Sequence, residues 1–287
     1  MDYDLDKLPL WCIVQADGDK ACATSGGSTP IQFCRMGDSP SLLQCALHRA
    51  LNVAPRRHVI ATVAAAHRRW WSQPLWCVSG ERRIVDQSTG RLTVTLAAAL
   101  ALIEKEDADA LVVVQATDAF CASGDAFTAG VVHALQTLEK LPAHIVALTT
   151  EPFVAASNQD YLVFGPRDGL PGRPAVRFVK RPAPVIADRL VAVGAHVSMG
   201  VYVARVATLT SVLQAVWPDL MAPARALVES GRGETLMPVH MPGSRFCRPW
   251  RHTWIQRPLP RLRAVPVDDY GWKSLGSTVS ISSGLSG

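Results

Sequence analysis

The feature that most constrains the fold is an alternation of short apolar runs with helical patterns in the first half of the chain. The clearest apolar run extends from Ala110 to Gln115 and is bounded by Asp109 and by Thr117-Asp118. A continuous apolar run of this length is typical of a strand that is buried on both faces of a parallel sheet. Apolar residues at helical spacing precede it over 95–104 and follow it over 125–138.

Further segments extend the alternation in both directions. Strands are predicted over 59–63 and 144–149, and helices over 41–51 and 65–71. This order predicts an α/β domain with a mainly parallel sheet. Ligands gather at the carboxyl ends of the strands in such sheets, so Thr117-Asp118 is the first place to look for chemistry.

After residue 150 the pattern changes. Short extended segments at 161–164, 175–179 and 197–203 alternate with loops rich in Gly and Pro, which predicts mixed sheet and hairpins. A helix is predicted over 209–216, and residues 229–263 show no clear period. The length of 287 residues allows one large domain or two small ones.

Composition excludes several classes of protein. Charged residues make up 18% of the chain, which is too few for a coiled coil or a solvated tail. No apolar run reaches the roughly 18 residues of a membrane helix, and the acidic start Met1-Asp2-Tyr3-Asp4 does not resemble a signal peptide. We therefore expect a cytoplasmic protein with no membrane partner. The net charge of +5 fits an anionic small ligand or nucleic acid and selects neither.

The seven cysteines are odd in number and scattered, and no CxxC pair occurs among them. This pattern indicates neither a zinc site nor a disulfide framework. We interpret the cysteines as reduced and mostly buried thiols.

A series of short strings runs along most of the chain. In the first half they are Ser25-Gly26-Gly27-Ser28, Pro30-Ile31-Gln32-Phe33, Ser41-Leu42-Leu43-Gln44, His67-Arg68, Gly90-Arg91-Leu92-Thr93, Gln115-Ala116-Thr117-Asp118 and Asp125-Ala126-Phe127. In the second half they are Ser157-Asn158-Gln159-Asp160-Tyr161-Leu162, Phe178-Val179-Lys180-Arg181-Pro182, Ser198-Met199-Gly200-Val201-Tyr202 and, after Val265-Pro266, Tyr270-Gly271-Trp272-Lys273-Ser274-Leu275-Gly276-Ser277. Their order and spacing resemble those of the bacterial mannose-1-phosphate guanylyltransferases, whose motifs include (A/S)GGSGTRLWP, PKQF, SLLQ, GRNTAP, LPAD, TGYGYI, FVEKP, NSGMF and WSDVG.

The resemblance implies a GT-A-like (Rossmann-like) nucleotidyltransferase fold over residues 20–277. It divides this domain into a nucleotide side (20–150) and a sugar side (151–277), with an N-terminal extension (1–19) and a tail (278–287). Members of the family join mannose-1-phosphate to GTP, giving GDP-mannose and pyrophosphate. The reaction crowds several anionic groups together, so Mg²⁺, cationic side chains and backbone N–H groups must hold their charge.

The resemblance also implies roles for individual residues. Asp118 matches the LPAD carboxylate, which makes it the candidate catalytic and Mg²⁺-binding residue, although a turn or cap role is the alternative. Lys180 and Arg181 fall at FVEKP and are candidate catalytic cations. The candidate nucleotide-binding residues are Gly26, Gly27, Ser28, Gly90 and Arg91, with a short Gly-Gly turn as the alternative for the first of these strings. The candidate sugar-binding residues are Asn158, Ser198 and Gly200.

The departures from the family motifs fall on the phosphate-binding groups. Ile31 replaces the Lys of PKQF, Ser274 replaces the second metal carboxylate, and the Arg-bearing stretch before PKQF is missing. Asn158 and Asp160 stand where TGYGYI has glycines, and their side chains would obstruct a close approach of the ligand.

These departures predict weak or absent catalysis. We expect a nucleotide or a sugar phosphate to bind, in a regulatory or partner role in nucleotide-sugar or polysaccharide metabolism, with a homo-oligomer or an active homologue as the expected protein partner. Two alternatives stay open: an active transferase with a rearranged phosphate site, and a non-catalytic protein-interaction module.

Two basic and aromatic segments stand apart from the match. Six arginines crowd residues 245–263 together with Phe246, Trp250 and Trp254, and no acid interrupts them. A structural or interface role, a contact with ligand phosphate and, least favoured, nucleic-acid binding are the three interpretations. The Trp70-Trp71 pair beside Arg68-Arg69 is interpreted as partly buried packing.

Overall fold

The structure is a computed structural model, and it describes residues 4–22, 29–35, 37–88, 92–120, 124–231, 235–237, 261–267 and 273–274. The chain divides into two compact units. The first unit comprises Met1–Thr117 and Arg205–Trp250, and the second comprises Asp118–Ala204 and Arg251–Gly287. These bounds differ from a division at residue 150 because the chain enters each unit twice.

The regular elements of the described residues follow in chain order. The strands are β1 (Leu10–Ala16), β2 (Val59–Ala64), β3 (Arg83–Asp86), β4 (Leu111–Ala116), β5 (Ala119–Phe120), β6 (Ile145–Thr150), β7 (Asp160–Phe164), β8 (Arg173–Lys180), β9 (His196–Arg205), β10 (Thr235–Met237), β11 (Leu262–Pro266) and β12 (Lys273–Ser274). The α-helices are α1 (Leu42–Val53), α2 (Arg68–Trp71), α3 (Leu92–Glu106), α4 (Gly124–Lys140), α5 (Pro184–Ala192), α6 (Val206–Val216) and α7 (Met221–Ser230).

The first unit contains a parallel set of strands in the order β10-β3-β2-β1-β4. Every residue of β1 is buried, because the strand pairs with β2 on one side and with β4 on the other. The family resemblance places this segment in an N-terminal extension. The apolar run Leu10-Trp11-Cys12-Ile13-Val14 instead forms a strand inside the parallel set, between β2 and β4.

Two of the helices of the first unit show how local sequence produces these elements. Ser41 caps α1 through a capping box, in which its Oγ accepts from the Gln44 N–H and the Gln44 Oε1 accepts from the Ser41 N–H. The helix α3 is apolar on nearly all sides and largely buried, and it packs against α6 and α7. The Arg225 guanidinium of α7 binds both carboxylate oxygens of Glu104 on α3 at 2.7 and 3.1 Å.

The second unit is mixed. Five of its strands run in the order β9-β6-β11-β8-β7, and β7 also pairs with β9, while β5 and β12 form a separate pair. The β6–β11 pair is parallel, whereas β11–β8, β7–β8, β6–β9 and β7–β9 are antiparallel. The α/β class is therefore confirmed, but the expectation of a mainly parallel sheet is not, because the parallel pairs of the first unit are matched by the antiparallel pairs of the second. The strand β6, which the sequence places in the parallel set, pairs antiparallel with β9.

One expectation about the cysteines is wrong. Cys22 and Cys34 form a disulfide. The backbone brings the two arms of this loop together, since the Cys22 N–H donates to the Thr29 carbonyl and the Ile31 N–H donates to the Lys20 carbonyl, both at 2.8 Å. A cysteine spacing of twelve residues carries no signal of this pairing. Disulfides persist mainly in oxidising compartments, so this bond argues against the predicted cytoplasmic location. The location itself stays a prediction.

Within the described residues, the structure has no helix that combines the length and the apolar character needed to cross a membrane.

Candidate functional site

Three charged residues of the second unit meet where β7 begins and β8 ends. Asp160 is directly opposed to Lys180 in the antiparallel register of β7 and β8. The backbone N–H of Arg181 donates to the Asp160 Oδ1 at 3.2 Å. Asp160 and Lys180 are half-buried, and Arg181 is exposed. The strand register and one backbone hydrogen bond thus place Lys180 and Arg181 next to an aspartate in the fold.

The backbone of Arg181 is unusual. Its φ is +36°, which lies in the left-handed region that favours glycine, and Arg181 is also followed by Pro182. Such a conformation costs on the order of 1–3 kcal/mol and persists where the surroundings fix it. The bond from its N–H to Asp160 is one such restraint.

The candidate sugar-binding residues Ser198 and Gly200 lie at a bulge in β9. Thr149 pairs with Ser198 and Leu148 pairs with Val201, so two residues of β9 have no partner in the register. Gly200 has a φ of +69°, a conformation that requires glycine in practice. Its N–H donates to the Ser198 Oγ at 3.3 Å, and that hydroxyl also shares a hydrogen bond with the Tyr202 hydroxyl at 3.1 Å.

The start of β9 lies beside the start of β7, because Tyr161 pairs with Val197. Asn158 precedes β7 and is half-buried. The Tyr161 hydroxyl shapes this turn by accepting from the Ala156 N–H at 2.9 Å and donating to the Ala156 carbonyl at 3.1 Å. Burial raises the pKa of Tyr161, so the hydroxyl keeps its proton. The β7–β9 register therefore runs from Tyr161 and Val197 toward Asn158 on one side and Ser198 on the other.

Asp118 lies between β4 and β5 and is half-buried. The short strand β5 pairs with β12 in an antiparallel register that opposes Ala119 to Ser274 and Phe120 to Lys273. The resemblance expects the second metal carboxylate at position 274, which carries a serine. In the structure Ser274 is opposed to Ala119, the residue that follows Asp118.

The donor set for a metal is small. Within the described residues, no group of three or more His, Cys, Asp and Glu side chains could hold a metal ion. Mg²⁺ is often bound by one or two carboxylates together with water and substrate phosphates. Asp118 alone is compatible with that mode, and its metal role stays a prediction.

The predicted nucleotide-binding residues Gly26, Gly27, Ser28, Gly90 and Arg91 lie outside the described residues. The segment directly after β1 is described and begins Asp17-Gly18-Asp19. The buried Gln32 side chain donates to the carbonyls of Ala16 and Gly18 at 3.0 and 2.8 Å. Ile31, which replaces the family lysine, is buried in the core.

Sequence reasoning missed a buried carboxylate, Asp17, which directly follows β1. Asp17 is 0% exposed and accepts from the hydroxyls of Thr62 at 2.7 Å and Thr95 at 2.8 Å. Burial raises its pKa to about 6, and the like charge of buried Asp86 adds to the effect. Its position just past an apolar strand is the same signal that identified Asp118.

A buried amide lies close to this carboxylate. The Gln15 side chain donates to the Leu92 carbonyl at 3.1 Å, and that carbonyl also accepts from Thr95. The Gln15 Oε1 is buried and has no hydrogen-bond partner among the described residues. Polar side chains therefore join the carboxyl ends of β1 and β2 to α3 inside the first unit, through Gln15 and through Asp17 with its two threonines.

Part of the arginine-rich stretch has a structural role. Arg263 is 3% exposed, and its guanidinium binds both oxygens of Asp168 at 2.8 Å. It also donates to the carbonyls of Pro171, Leu170 and Gly172. Arg261 is exposed, whereas Arg245, Arg248, Arg251 and Arg257 lie outside the described residues.

The tryptophan pair is packed, as predicted. Trp71 is fully buried, and its indole N–H donates to the Ala64 carbonyl at 2.8 Å. Trp70 stacks on Phe33 with ring centroids 5.8 Å apart, and the Arg69 guanidinium lies 3.8 Å from the Trp70 ring.

No protein-family model matches the sequence, and no curated protein matches it. Solved structures do match. A mannose-1-phosphate geranyltransferase from Thermus thermophilus is 17% identical with a TM-score of 0.76 over 94% of this chain and 77% of that chain. A mannose-6-phosphate isomerase from Helicobacter pylori is 14% identical with a TM-score of 0.68 over 92% of this chain and 99% of that chain.

An inositol-1-phosphate CTP transferase from T. maritima is 14% identical with a TM-score of 0.54, over 95% of this chain and 91% of that chain. At such low identity these likenesses concern the fold and not the reaction. The chain has the α/β fold that these structures share.

Proposed function

We propose that the protein is a divergent relative of the mannose-1-phosphate guanylyltransferases that binds a nucleotide or a sugar phosphate and has weak or no catalysis. It then acts as a regulator or partner of an active enzyme in nucleotide-sugar or polysaccharide metabolism. One observation carries the proposal. The chain shares its fold with enzymes of sugar and inositol phosphates. It has the uncharged residues Ile31 and Ser274 at two positions where the guanylyltransferase motifs have a charged residue.

The nucleotide phosphates are the groups that these uncharged residues leave without a counter-charge. A sugar-phosphate oxygen must attack the α-phosphate in line, and the developing charge must be held by fixed cations and N–H groups. Ile31 is in the core and supplies no charge, while Asp17 and Asp19 after β1 supply the wrong sign. Losing one such contact typically costs about 2.7–4 kcal/mol of activation free energy, which is roughly a hundredfold to a thousandfold in rate.

Asp118 is the residue that would hold Mg²⁺. The ion would offset negative charge on the phosphates. This chain's own contribution on the sugar side is the pair Lys180 and Arg181, which are held at the end of β8.

The experiment combines binding with turnover. Calorimetry with GTP, GDP-mannose and mannose-1-phosphate should give saturable binding of at least one ligand. Incubation with GTP, mannose-1-phosphate and Mg²⁺ should release pyrophosphate far more slowly than an active guanylyltransferase run alongside. If none of the three ligands binds, the proposal that the protein binds a nucleotide or a sugar phosphate is wrong. The alternative of a non-catalytic protein-interaction module is then favoured.

A second candidate is an active transferase with a rearranged site. The clustering of Lys180 and Arg181 beside the sugar-side turn favours it, because these residues could hold a sugar phosphate in place of the missing cations. In that case pyrophosphate release is readily measured, and Asp118→Ala abolishes it. Turnover that survives in Asp118→Ala excludes this candidate.

The protein partner is part of the same proposal. Light scattering of the purified chain tests for a homo-oligomer, and co-purification with an active guanylyltransferase tests for a heteromeric complex.

A further inference from the structure

The exposed apolar side chains of the structure are concentrated on two segments of the second unit. Five of the nine large hydrophobic side chains that are exposed within the described residues belong to these segments: Phe153, Val154, Val185, Ile186 and Val193. We call these five residues the apolar patch. Phe153 is 93% exposed, although a phenylalanine ring is among the most costly groups to leave in water. Single exposed apolar side chains are common, whereas a group of them marks an interaction surface.

The two segments that carry the apolar patch are neighbours because they cover the same small core. Ala187 and Leu190 of α5 belong to one buried cluster with Tyr161. Ala155, in the loop before β7, packs against the same cluster. The loop is held there by the two hydrogen bonds between the Tyr161 hydroxyl and Ala156. The exposed side chains of the loop and of α5 therefore emerge around one buried cluster.

The helix α5 places one cation inside the apolar patch. Val185, Arg189 and Val193 are exposed and follow each other at intervals of four residues, so they form one row along the helix surface. A partner that covers the two valines also covers Arg189, and a guanidinium that is taken out of water needs an acidic partner. The occupant of the apolar patch must therefore supply a carboxylate.

The chain itself offers such carboxylates beside the apolar patch. Asp188 and Glu151 are exposed; Asp188 adjoins Arg189 on α5, and Glu151 precedes Phe153 by two residues. In a twofold-symmetric interface a residue away from the axis meets a different residue of the other copy, so Arg189 of one copy can meet an acid of the other. A polyanion such as nucleic acid would bring its phosphates against the same acids. The charges therefore favour a second copy of this chain.

We infer that the apolar patch is the centre of a twofold-symmetric interface between two copies of this chain. Phe153 is the apolar anchor of this interface, and Arg189 pairs with an acid of the other copy. The inference deepens the partner part of the proposed function, and it rests on that part alone.

The size of the apolar patch agrees with such an interface. Its five side chains expose roughly 450 Å² in one copy and therefore about 900 Å² in two. A standard interface buries about 1,600 Å² in total, of which somewhat more than half, or about 900 Å², is apolar. The two patches together thus supply the apolar area that a dimer of ordinary size needs.

The test is the self-association of Phe153→Ser, measured by sedimentation velocity. The parent should dimerise with a dissociation constant in the range of about 1–100 µM. Phe153→Ser should raise this constant at least about thirtyfold, because a buried aromatic anchor is lost from both copies. Trp76→Ser is the matched control, since Trp76 is 69% exposed but belongs to the first unit, and it should leave the constant unchanged. Circular dichroism checks that both variants are folded.

The variants Asp188→Arg and Arg189→Asp test the symmetry of the interface. Each gives the two neighbouring positions of α5 a single sign of charge, so each variant alone should dimerise roughly tenfold more weakly than the parent. An equimolar mixture of the two variants should recover the association, because opposite charges then face each other. The recovery should shrink in about 0.5 M NaCl.

Several results would overturn the inference. A parent that stays monomeric at about 100 µM overturns it, and the proposed function stays intact if that monomer binds GTP or mannose-1-phosphate in calorimetry. A dimer that Phe153→Ser does not weaken, or that Trp76→Ser weakens equally, has its interface elsewhere. A mixture of the two charge variants that associates no better than either alone excludes the twofold arrangement. A monomer that binds none of the ligands overturns both the inference and the proposed function.

Discussion

Asp168 and Arg263 form a two-point ion pair in which the arginine is almost fully buried and the aspartate reaches out to solvent. The same guanidinium donates to three successive carbonyls of the loop, those of Leu170, Pro171 and Gly172. One side chain of β11 thus fixes the loop that leads into β8. The arginine holds the pKa of Asp168 below its usual range.

Arg263→Ala should destabilise the protein by about 1–3 kcal/mol, because it leaves the carbonyls of the 170–172 loop without their donor. Urea denaturation of the variant measures the change in the free energy of unfolding. Arg261→Ala is the control, since Arg261 is exposed and its loss should cost at most about 0.5 kcal/mol. Equal stability of the two variants would contradict the structural role of Arg263.

The Cys22–Cys34 disulfide predicts a stability that depends on reductant. The bond closes a ring with a sequence separation of 12, for which loop entropy gives roughly 3 kcal/mol. The double variant Cys22→Ser, Cys34→Ser should unfold at a lower denaturant concentration, and added dithiothreitol should lower the stability of the parent but not of the variant.

Cys77→Ser is the control for this prediction, because Cys77 lies outside the ring and carries a thiol. Peptide mapping without reductant checks the bond directly. Alkylation of both Cys22 and Cys34 in the unfolded, unreduced protein would show that they are not linked.

The strands and helices with a clear period could be predicted from the sequence. The strands β2, β4, β6 and β9 and the helices α1, α3 and α4 lie where apolar runs and helical spacing put them. The strand β1 lies on an apolar run, Leu10-Trp11-Cys12-Ile13-Val14, that the family strings do not cover because they begin later in the chain.

The pairing between strands could not be predicted, and it determines the candidate site. In the sequence Asp160 is interpreted as a substitution that obstructs a ligand, whereas the β7–β8 register makes it the counter-charge of Lys180. Arg263 is one of six similar arginines in the sequence, and only its burial and its bonds to the 170–172 loop separate it from Arg261. Such distinctions depend on contacts between residues far apart in the chain.

The close packing of α4 on the second unit's strands predicts a clash at Gly130. A Cβ atom there would lie 2.7 Å from the Val267 Cγ2 and 3.3 Å from the Leu148 Cδ1. Gly130→Ala gains about 1 kcal/mol of helix propensity, but overpacking should cost more, about 1–3 kcal/mol. We therefore expect a net loss of stability in thermal or urea unfolding.

The double variant Gly130→Ala, Val267→Ala provides the control. The new methyl group then fills space that the smaller residue 267 vacates, so the two substitutions should be less costly together than the sum of their separate effects. Strict additivity, or a stabilising Gly130→Ala in the parent background, would contradict the predicted clash.

Asp17 predicts a dependence of stability on pH. Its pKa is about 6 in the folded protein and about 3.9 in an unfolded chain, so the folded state binds the proton more tightly. The contribution of Asp17 to the free energy of unfolding is therefore greatest at low pH, falls between about pH 4 and 6, and is constant above that. The shift of about two pKa units corresponds to a loss of roughly 3 kcal/mol.

Asp17→Asn removes this titration and keeps an oxygen that can accept from Thr62 or Thr95. Urea unfolding of parent and variant at pH 4, 5, 6, 7 and 8 gives the difference in stability at each pH. The variant should gain on the parent by about 2–3 kcal/mol between pH 4 and pH 7, because the parent must bury a charge that the variant lacks. Asp109→Asn, at an exposed acid beside β4, should show no such gain. If the stabilities of the parent and of Asp17→Asn change in parallel between pH 4 and pH 8, Asp17 has an ordinary pKa despite its burial.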